Sequence, residues 1–216
     1  MPDLRFEVVG AGAAPYAALP TLLFTLRVTN APEGERIQSA LLRCQIRIAA
    51  TRRRYSPDAK ARLVELFGEP ERWRETVRSF LWTNATATLT PFAGATTVEL
   101  PVPCSYDFEA ATTKYFDALD EGEIPLEFLF SGTVFYAGAG GNLQVALISW
   151  EREAEYRLPV ALWKEMMARY YPNSAWIRMD KDVFDRLQQY KAARGLPTWD
   201  ETLSRLLAAV AKEASV

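Results

Sequence analysis

PLEFLFSGTVFY (125–136), AGAGG (137–141) and NLQVALISW (142–150) follow one another in the second half of the chain. The two outer segments are rich in β-branched and aromatic residues, which favour strands. The glycines between them allow the backbone conformations of a tight turn. A phosphate-binding loop would instead need a lysine–serine ending and a following helix, and both are missing here. The stretch therefore predicts an antiparallel hairpin.

Further strands are predicted on the N-terminal side of this hairpin. In residues 42–48, the apolar side chains of Leu42, Cys44 and Ile46 alternate with polar ones. Alternation with a period of two is typical of a strand with one buried face. The same reasoning predicts strands at residues 4–9, 22–28, 85–91 and 97–102.

Two short helices are predicted among these strands. Ser56 followed by Pro57 is a typical N-cap and first helical residue, and Gly68 ends that helix. A second helix is predicted at residues 110–119. The stretch 72–82 is compatible with either helix or strand.

The C-terminal part of the chain has helical periodicity. Helices are predicted at residues 160–170, 181–194 and 198–207, with a short strand at 176–179. Thr198 and Glu201 form a capping-box pattern for the last helix. We therefore predict the α+β class: an antiparallel, β-rich, sandwich-like domain at residues 1–158 and a helical section at residues 159–216.

Composition excludes several kinds of chemistry. The chain has 216 residues, a net charge of −2 and no histidine. Catalysis by Ser-His-Asp or Cys-His groups is therefore excluded, and the commonest zinc ligand is missing. Cys44 and Cys104 are the only cysteines, and we predict that both are buried and reduced. We expect no metal and no cofactor.

Nothing in the sequence resembles a membrane segment. No apolar stretch reaches the ~18–20 residues that span a bilayer, and residues 1–10 lack the pattern of a signal peptide. These features predict a cytoplasmic protein that does not contact a membrane.

The strongest concentration of positive charge is Arg52, Arg53 and Arg54, followed by Tyr55. It lies between a predicted strand and a capped helix, where a loop can meet an anionic partner. Residues 39–62 hold seven basic residues against Asp58 alone, which makes this part of the chain basic. Three adjacent arginines cannot all point the same way, so at least one of them is expected to form an internal ion pair. The alternative to a binding site is a solvated face of a sheet.

Two other groups of residues deserve a functional interpretation beside a structural one. Asp107 and Glu109 form a carboxylate pair that could serve acid–base chemistry, but we favour the interpretation that they belong to an exposed acidic edge. Tryptophans in the second half can stack on ligands. At helical spacing among leucines they are usually core, so Trp163 and Trp199 are predicted to be buried.

The stretch WIRMDKDVFDRLQQYKAARGLPTWDETLSRLL (176–207) resembles a ribbon-helix-helix unit. The resemblance implies that strands of two chains pair and, in DNA-binding members, that alternate strand residues contact bases. Here those residues are Trp176 and Arg178. The segment carries little net positive charge, so nucleic acid is not the partner that we expect.

The whole chain resembles an uncharacterised bacterial family of unknown function. The resemblance rests on LFGEPERW (66–73), PVPCSYDFE (101–109), FLFSGTVFY (128–136) and LPTWDETLSRLL (196–207). The resemblance implies an association with gene clusters for nickel-iron hydrogenases, and with it an accessory or assembly role.

These observations predict a non-enzymatic accessory or protein-interaction protein, with a protein partner or self-association and possible support of a redox enzyme such as a hydrogenase. One alternative is a ribbon-helix-helix-like or antitoxin-type DNA-binding regulator. The other is a small-molecule or lipid binder that uses the β domain. The binding residues predicted for these roles are Arg52, Arg53, Arg54, Tyr55, Trp176 and Arg178.

Overall fold

The computed structural model describes residues 1–104, 110–138, 140–174, 177 and 179–213. The chain divides into two compact units, Met1–Ser174 and Ala175–Val216. The boundary that we predicted at residues 158/159 falls within the first unit. The helix that follows this point buries Val160 and Trp163 in the first unit's core, so the division comes only after Ser174.

Eight strands and six α-helices are present in the part of the chain that the structure describes. The strands are β1 (Asp3–Ala13), β2 (Thr21–Ala31), β3 (Ile37–Ile48), β4 (Phe80–Leu89), β5 (Ala95–Pro103), β6 (Glu123–Ala137), β7 (Leu143–Leu147) and β8 (Glu153–Pro159). The helices are α1 (Pro57–Phe67), α2 (Trp73–Thr76), α3 (Ala110–Asp117), α4 (Val160–Tyr170), α5 (Lys181–Ala193) and α6 (Trp199–Glu213). The predicted α+β class, with antiparallel strands first and helices concentrated towards the C-terminus, is confirmed.

The strands form two antiparallel sheets. One has the order β1-β2-β5, and the other has the order β4-β3-β6-β7, with β8 also paired to β6. Aromatic side chains fill the space between the sheets. The Phe24 ring on β2 lies 5.1 Å from that of Phe128 on β6, and the Phe6 ring on β1 stacks at 4.3 Å on Phe130. Two sheets that bury one face each against the other form a sandwich.

The long strand β6 is shared by three partners. It pairs with β3 along one edge, and with β8 and then β7 along the other. Gly132 lies where the second edge passes from β8 to β7, with φ +145°. A Cβ atom at this position would lie 2.0 Å from the backbone oxygen of Leu41 on β3, so β3 and β6 can approach this closely only at a glycine.

Helices α1, α3 and α4 cover one part of the sandwich. Ser56 caps α1, since its Oγ accepts a hydrogen bond from the N–H of Ala59 at 3.1 Å, and Pro57 is the first helical residue. Phe116 on α3 and Trp163 on α4 are buried, with ring centroids 5.1 Å apart. The caps and the core position of Trp163 agree with the sequence predictions.

The second unit contains α5 and α6. Thr198 Oγ1 accepts a hydrogen bond from the N–H of Glu201 at 3.2 Å, as the capping pattern predicts. The Trp199 ring packs at 5.4 Å on Phe184, with Lys191 over its face. Trp199 nevertheless keeps 37% of its surface exposed, so our prediction that it is core was wrong. Two short helices offer too little apolar surface to enclose an indole.

Strand β8 was not predicted from the sequence. The stretch 72–82, which was compatible with either helix or strand, contains both. Residues Trp73–Thr76 form α2, after a 3-10 turn at Pro70–Arg72, and the chain becomes extended at Phe80. Cys44 and Cys104 are both buried, as predicted. The strand predicted at 176–179 lies largely outside the described residues.

Candidate functional site

The segment Arg52–Tyr55 connects the end of β3 to α1. The chain leaves β3 through a 3-10 turn at Ala50–Arg52 and is extended at Arg53, before Ser56 caps α1. Consecutive side chains of an extended segment point in opposite directions. The three arginines therefore have different neighbours.

Arg52 is held by two carboxylates. Its guanidinium lies 3.1 Å from Glu127 Oε1 on β6 and forms a second ion pair with Glu155 on β8. The sequence interpretation that at least one arginine is internally paired is therefore confirmed for Arg52. This side chain ties the loop to the second sheet.

Arg53 is fixed by backbone carbonyls. Its Nη1 and Nη2 atoms donate to the carbonyl oxygens of Glu123 and Glu121, each at 3.1 Å. Its guanidinium carbon also lies 5.2 Å from the centre of the Tyr55 ring. No ion pair joins Arg53 to a carboxylate among the described residues. The guanidinium is thus held in place, and none of the acids that the structure describes neutralises its charge.

Arg54 is exposed, and within the described ranges no carboxylate forms an ion pair with it. It lines an open groove of about 710 Å³ together with Arg52, Arg53 and Arg157. Arg157 lies at the limit of an ion pair, 4.0 Å from Glu123. We call this the arginine groove; the other residues that line it are Thr51, Gly122 and Glu123.

Tyr55 is fixed at its hydroxyl. The group donates to the carbonyl oxygen of Ala50 at 2.6 Å and lies 2.8 Å from the hydroxyl of Tyr115 on α3. Since Tyr55 has one proton and directs it to Ala50, Tyr115 supplies the proton of the second bond. Burial raises the pKa of both tyrosines, so both are neutral at physiological pH.

A second, more enclosed cavity of about 200 Å³ lies beside the arginine groove. Trp73 forms part of its wall, and its Nε1–H donates to the carbonyl oxygen of Gly68 at 2.8 Å, which fixes the indole. The rings of Tyr55 and Phe67 each pack edge-on against Trp73 at 5.4 Å. We call this the aromatic pocket; its apolar lining is Ala50, Tyr55, Phe67, Pro70, Trp73 and Val77.

The groove and the pocket share a wall. Thr51 and Arg53 line both. Exposed Arg74 borders the pocket, and no carboxylate among the described residues forms an ion pair with it. A ligand that fills both cavities would place an anionic group near Arg53 and an apolar group on the Trp73 ring.

The structure places four of the six predicted binding residues in this site, namely Arg52, Arg53, Arg54 and Tyr55. Trp176 and Arg178 lie outside the described residues, as do Asp107 and Glu109. Sequence reasoning missed Trp73 and Phe67 as pocket residues. The signal that was available is the series Phe67, Trp73 and Phe80, three aromatic residues that follow the basic loop.

Fold and site together define the class: an antiparallel β-sandwich with packed helices, bearing a basic groove beside an aromatic pocket. The sequence model of one protein family, described as a family of unknown function (DUF6084), matches residues 1–215. The chain belongs to this family, as the resemblance predicted. No curated protein matches the sequence. Within the described residues, no helix is both long and apolar enough to span a bilayer.

Several solved structures resemble part of this chain, and each has low sequence identity to it. A Bordetella pertussis protein assigned as ApaA is 12% identical, with 73% of this chain and 93% of that chain covered and a TM-score of 0.28. A protein assigned as late embryogenesis abundant is 15% identical, covering 74% and 72% of the two chains with a TM-score of 0.33. An Archaeoglobus fulgidus protein is 16% identical, covering 71% and 97%, with a TM-score of 0.29.

Proposed function

We propose that the protein is a non-catalytic interaction protein that binds an acidic segment of a partner protein. The segment lies in the arginine groove and inserts an aromatic or large apolar side chain into the aromatic pocket. The single observation that carries this proposal is the state of Arg53. Its charge is not paired with a carboxylate among the described residues, and its guanidinium lies on the wall that both cavities share.

Preorganisation supports a binding role for Arg53. A side chain that is already ordered loses little conformational entropy when it meets a ligand. Its bonds to the carbonyls of Glu121 and Glu123 hold it in one position before any ligand arrives. An arginine beside a fixed aromatic surface is also a combination that is enriched at protein interfaces.

The size of the pocket supports a side chain as its occupant. A cavity of about 200 Å³ is smaller than the usual range of sites for drug-sized ligands, ~300–1,000 Å³. The groove beside it is open and charged, which suits an extended peptide with acidic residues. An association with hydrogenase gene clusters, which only the sequence resemblance implies, makes surface segments of such an enzyme the first natural sequences to test.

The experiment uses short synthetic peptides with two acidic residues followed by phenylalanine, titrated into the full chain and followed by anisotropy. We expect binding that weakens as NaCl rises from about 50 to 500 mM, because exposed charges are screened. Arg54→Ser should lower affinity about fivefold, since Arg54 is exposed and its loss leaves the fold intact. Thr51→Phe should also weaken binding, because it fills the mouth shared by the two cavities.

Matched controls identify the site. Arg43→Ser removes an exposed arginine on β3 outside both cavities and should leave affinity unchanged. Peptides with the acids changed to amides, or the phenylalanine to alanine, should bind weakly. Equal binding of the amide peptides, or unchanged affinity in Arg54→Ser and Thr51→Phe, would refute the proposal.

A further inference from the structure

Strand β7 is an edge strand with a free side. It pairs with β6 from Leu143↔Ala137 to Leu147↔Thr133, and no other strand in the described part of the chain pairs with it. An open edge presents unpaired N–H and C=O groups to any strand that approaches.

The hydrogen bonds between β6 and β7 show which backbone N–H and C=O groups of β7 remain available to a further strand. Gly138 N–H donates to the carbonyl oxygen of Asn142 at 2.9 Å, and Ile148 N–H donates to that of Gly132 at 3.0 Å. In an antiparallel ladder, hydrogen-bonded positions alternate along the strand. Even-numbered residues therefore turn their backbone groups towards β6, and Leu143, Val145 and Leu147 turn theirs to the free edge.

The free edge lacks the features that usually prevent strand addition. Edge strands are normally protected by charged side chains, proline or bulges. In the other sheet, β1 carries Arg5 and Glu7, and β5 carries Pro101. By contrast, no charged residue occurs between residues 137 and 150, and β7 contains no proline.

Side chains on β7 are apolar and exposed. Leu143, Val145 and Leu147 have 66%, 59% and 79% of their surface exposed. All three point to the same face of the sheet, since they alternate with Gln144 and Ala146. Three exposed apolar side chains on one face of an edge strand are typical of an interaction surface.

We propose that β7 pairs with β7 of a second copy of this chain, in an antiparallel arrangement about a two-fold axis at Val145. The sequence Leu-Gln-Val-Ala-Leu (143–147) reads nearly the same in both directions around its centre. In this register Val145 faces Val145, and Leu143 faces Leu147 of the other copy. A two-fold interface requires such a self-complementary surface.

Backbone groups and charges agree with this register. Val145 opposite itself is a hydrogen-bonded position, and so is Leu143 opposite Leu147, because all three direct N–H and C=O outwards. Every outward donor of these residues therefore meets an acceptor. No like charges face each other, because β7 has no charged residue. The result is a sheet that continues through both copies.

The dimer should be weak and dependent on concentration, because a five-residue strand buries less area than a standard interface. Sedimentation of the full chain from about 5 to 500 µM should show a shift from monomer to dimer. Val145→Lys places two ammonium groups beside the axis and should make the protein monomeric. Val145→Glu should do the same.

A mixture of the Val145→Lys and Val145→Glu proteins should form dimers again, because opposite charges then meet at the axis. Leu41→Lys is the matched control, since Leu41 is also exposed and lies on a strand away from the edge. It should dimerise like the wild type. Monomeric wild-type protein across this range, or a mixture that stays monomeric, would overturn the proposal.

Discussion

Cys44 lies on β3 with 1% of its surface exposed, and burial raises the pKa of its thiol from about 9 to about 12. Because folding raises the pKa of this thiol, its contribution to the stability of the native state is fully present below pH 9. That stability is lost as the pH rises from 9 towards 12, because the unfolded chain releases its proton first. Below pH 9 the thiol is protonated in both states, so it should add no pH dependence to the free energy of unfolding.

We therefore expect Cys44→Ser to flatten the alkaline decline in stability. Between pH 8 and pH 10 the wild type should lose about 1.4 kcal/mol more than the variant, since serine does not ionise in this range. Urea unfolding at several pH values measures the difference. Parallel curves for the two proteins would show that the Cys44 thiolate is tolerated in the core.

Helices α4 and α6 each carry a tryptophan, but the two side chains differ in burial. The difference shows that α4 is part of the core and that α6 is peripheral. Trp163 on α4 is 3% exposed and packs against Phe116, whereas Trp199 on α6 is 37% exposed. Trp163→Ala should cost ~3–5 kcal/mol, the range for a large side chain removed from a core. Trp199→Ala should cost about 1 kcal/mol, because less of the side chain is buried.

Urea unfolding followed by far-UV circular dichroism compares the two variants with the wild type. Leu207→Ala, which removes a side chain that is 71% exposed on the same helix as Trp199, serves as the control and should behave like the wild type. Equal destabilisation by the two tryptophan substitutions would contradict the placement of Trp199 at the surface.

The elements that could be predicted from the sequence are those with a local signal. The α1 cap at Ser56, the hairpin of β6 and β7, and the end of α4 before Pro172 all follow from a few adjacent residues. Strand β8 also had such a signal, because Ala154, Tyr156 and Leu158 alternate with charged residues, but the nearby helical pattern obscured it.

The candidate site could be predicted only in part. The arginines at 52–54 were visible as a charge cluster, whereas their roles depend on distant contacts. The carbonyls that hold Arg53 lie about 70 residues away at Glu121 and Glu123, and the carboxylate of Glu155 is farther still. Such contacts arise from tertiary packing, which no local pattern in the sequence reports.

At the scale of the whole molecule, the first unit has a complete core of its own. Among the residues that the structure describes, the hydrophobic cluster and the apolar side chains packed on it lie at or before Tyr171. A chain that ends after Ser174 should therefore unfold cooperatively at nearly the same temperature as the full chain. Calorimetry on the two proteins tests this.

A shorter truncation provides the control. A chain that ends after Pro159 loses α4 and with it the buried side chains of Val160, Trp163 and Met166. It should fail to give a cooperative transition, since several large core residues are missing. Loss of cooperative unfolding in the 1–174 protein would show that the first unit depends on the residues after it.

The glycine at the junction of β6 has a consequence for the evolution of the family. A relative that keeps β3 and β6 in the same register cannot accept a side chain at Gly132, because the backbone of Leu41 occupies that space. Gly12 and Gly34, where a Cβ atom would meet nothing within 4 Å, are free to vary. The glycine of the sequence FSGT (130–133) should thus persist among diverged members and give a fixed point from which their central strands can be aligned.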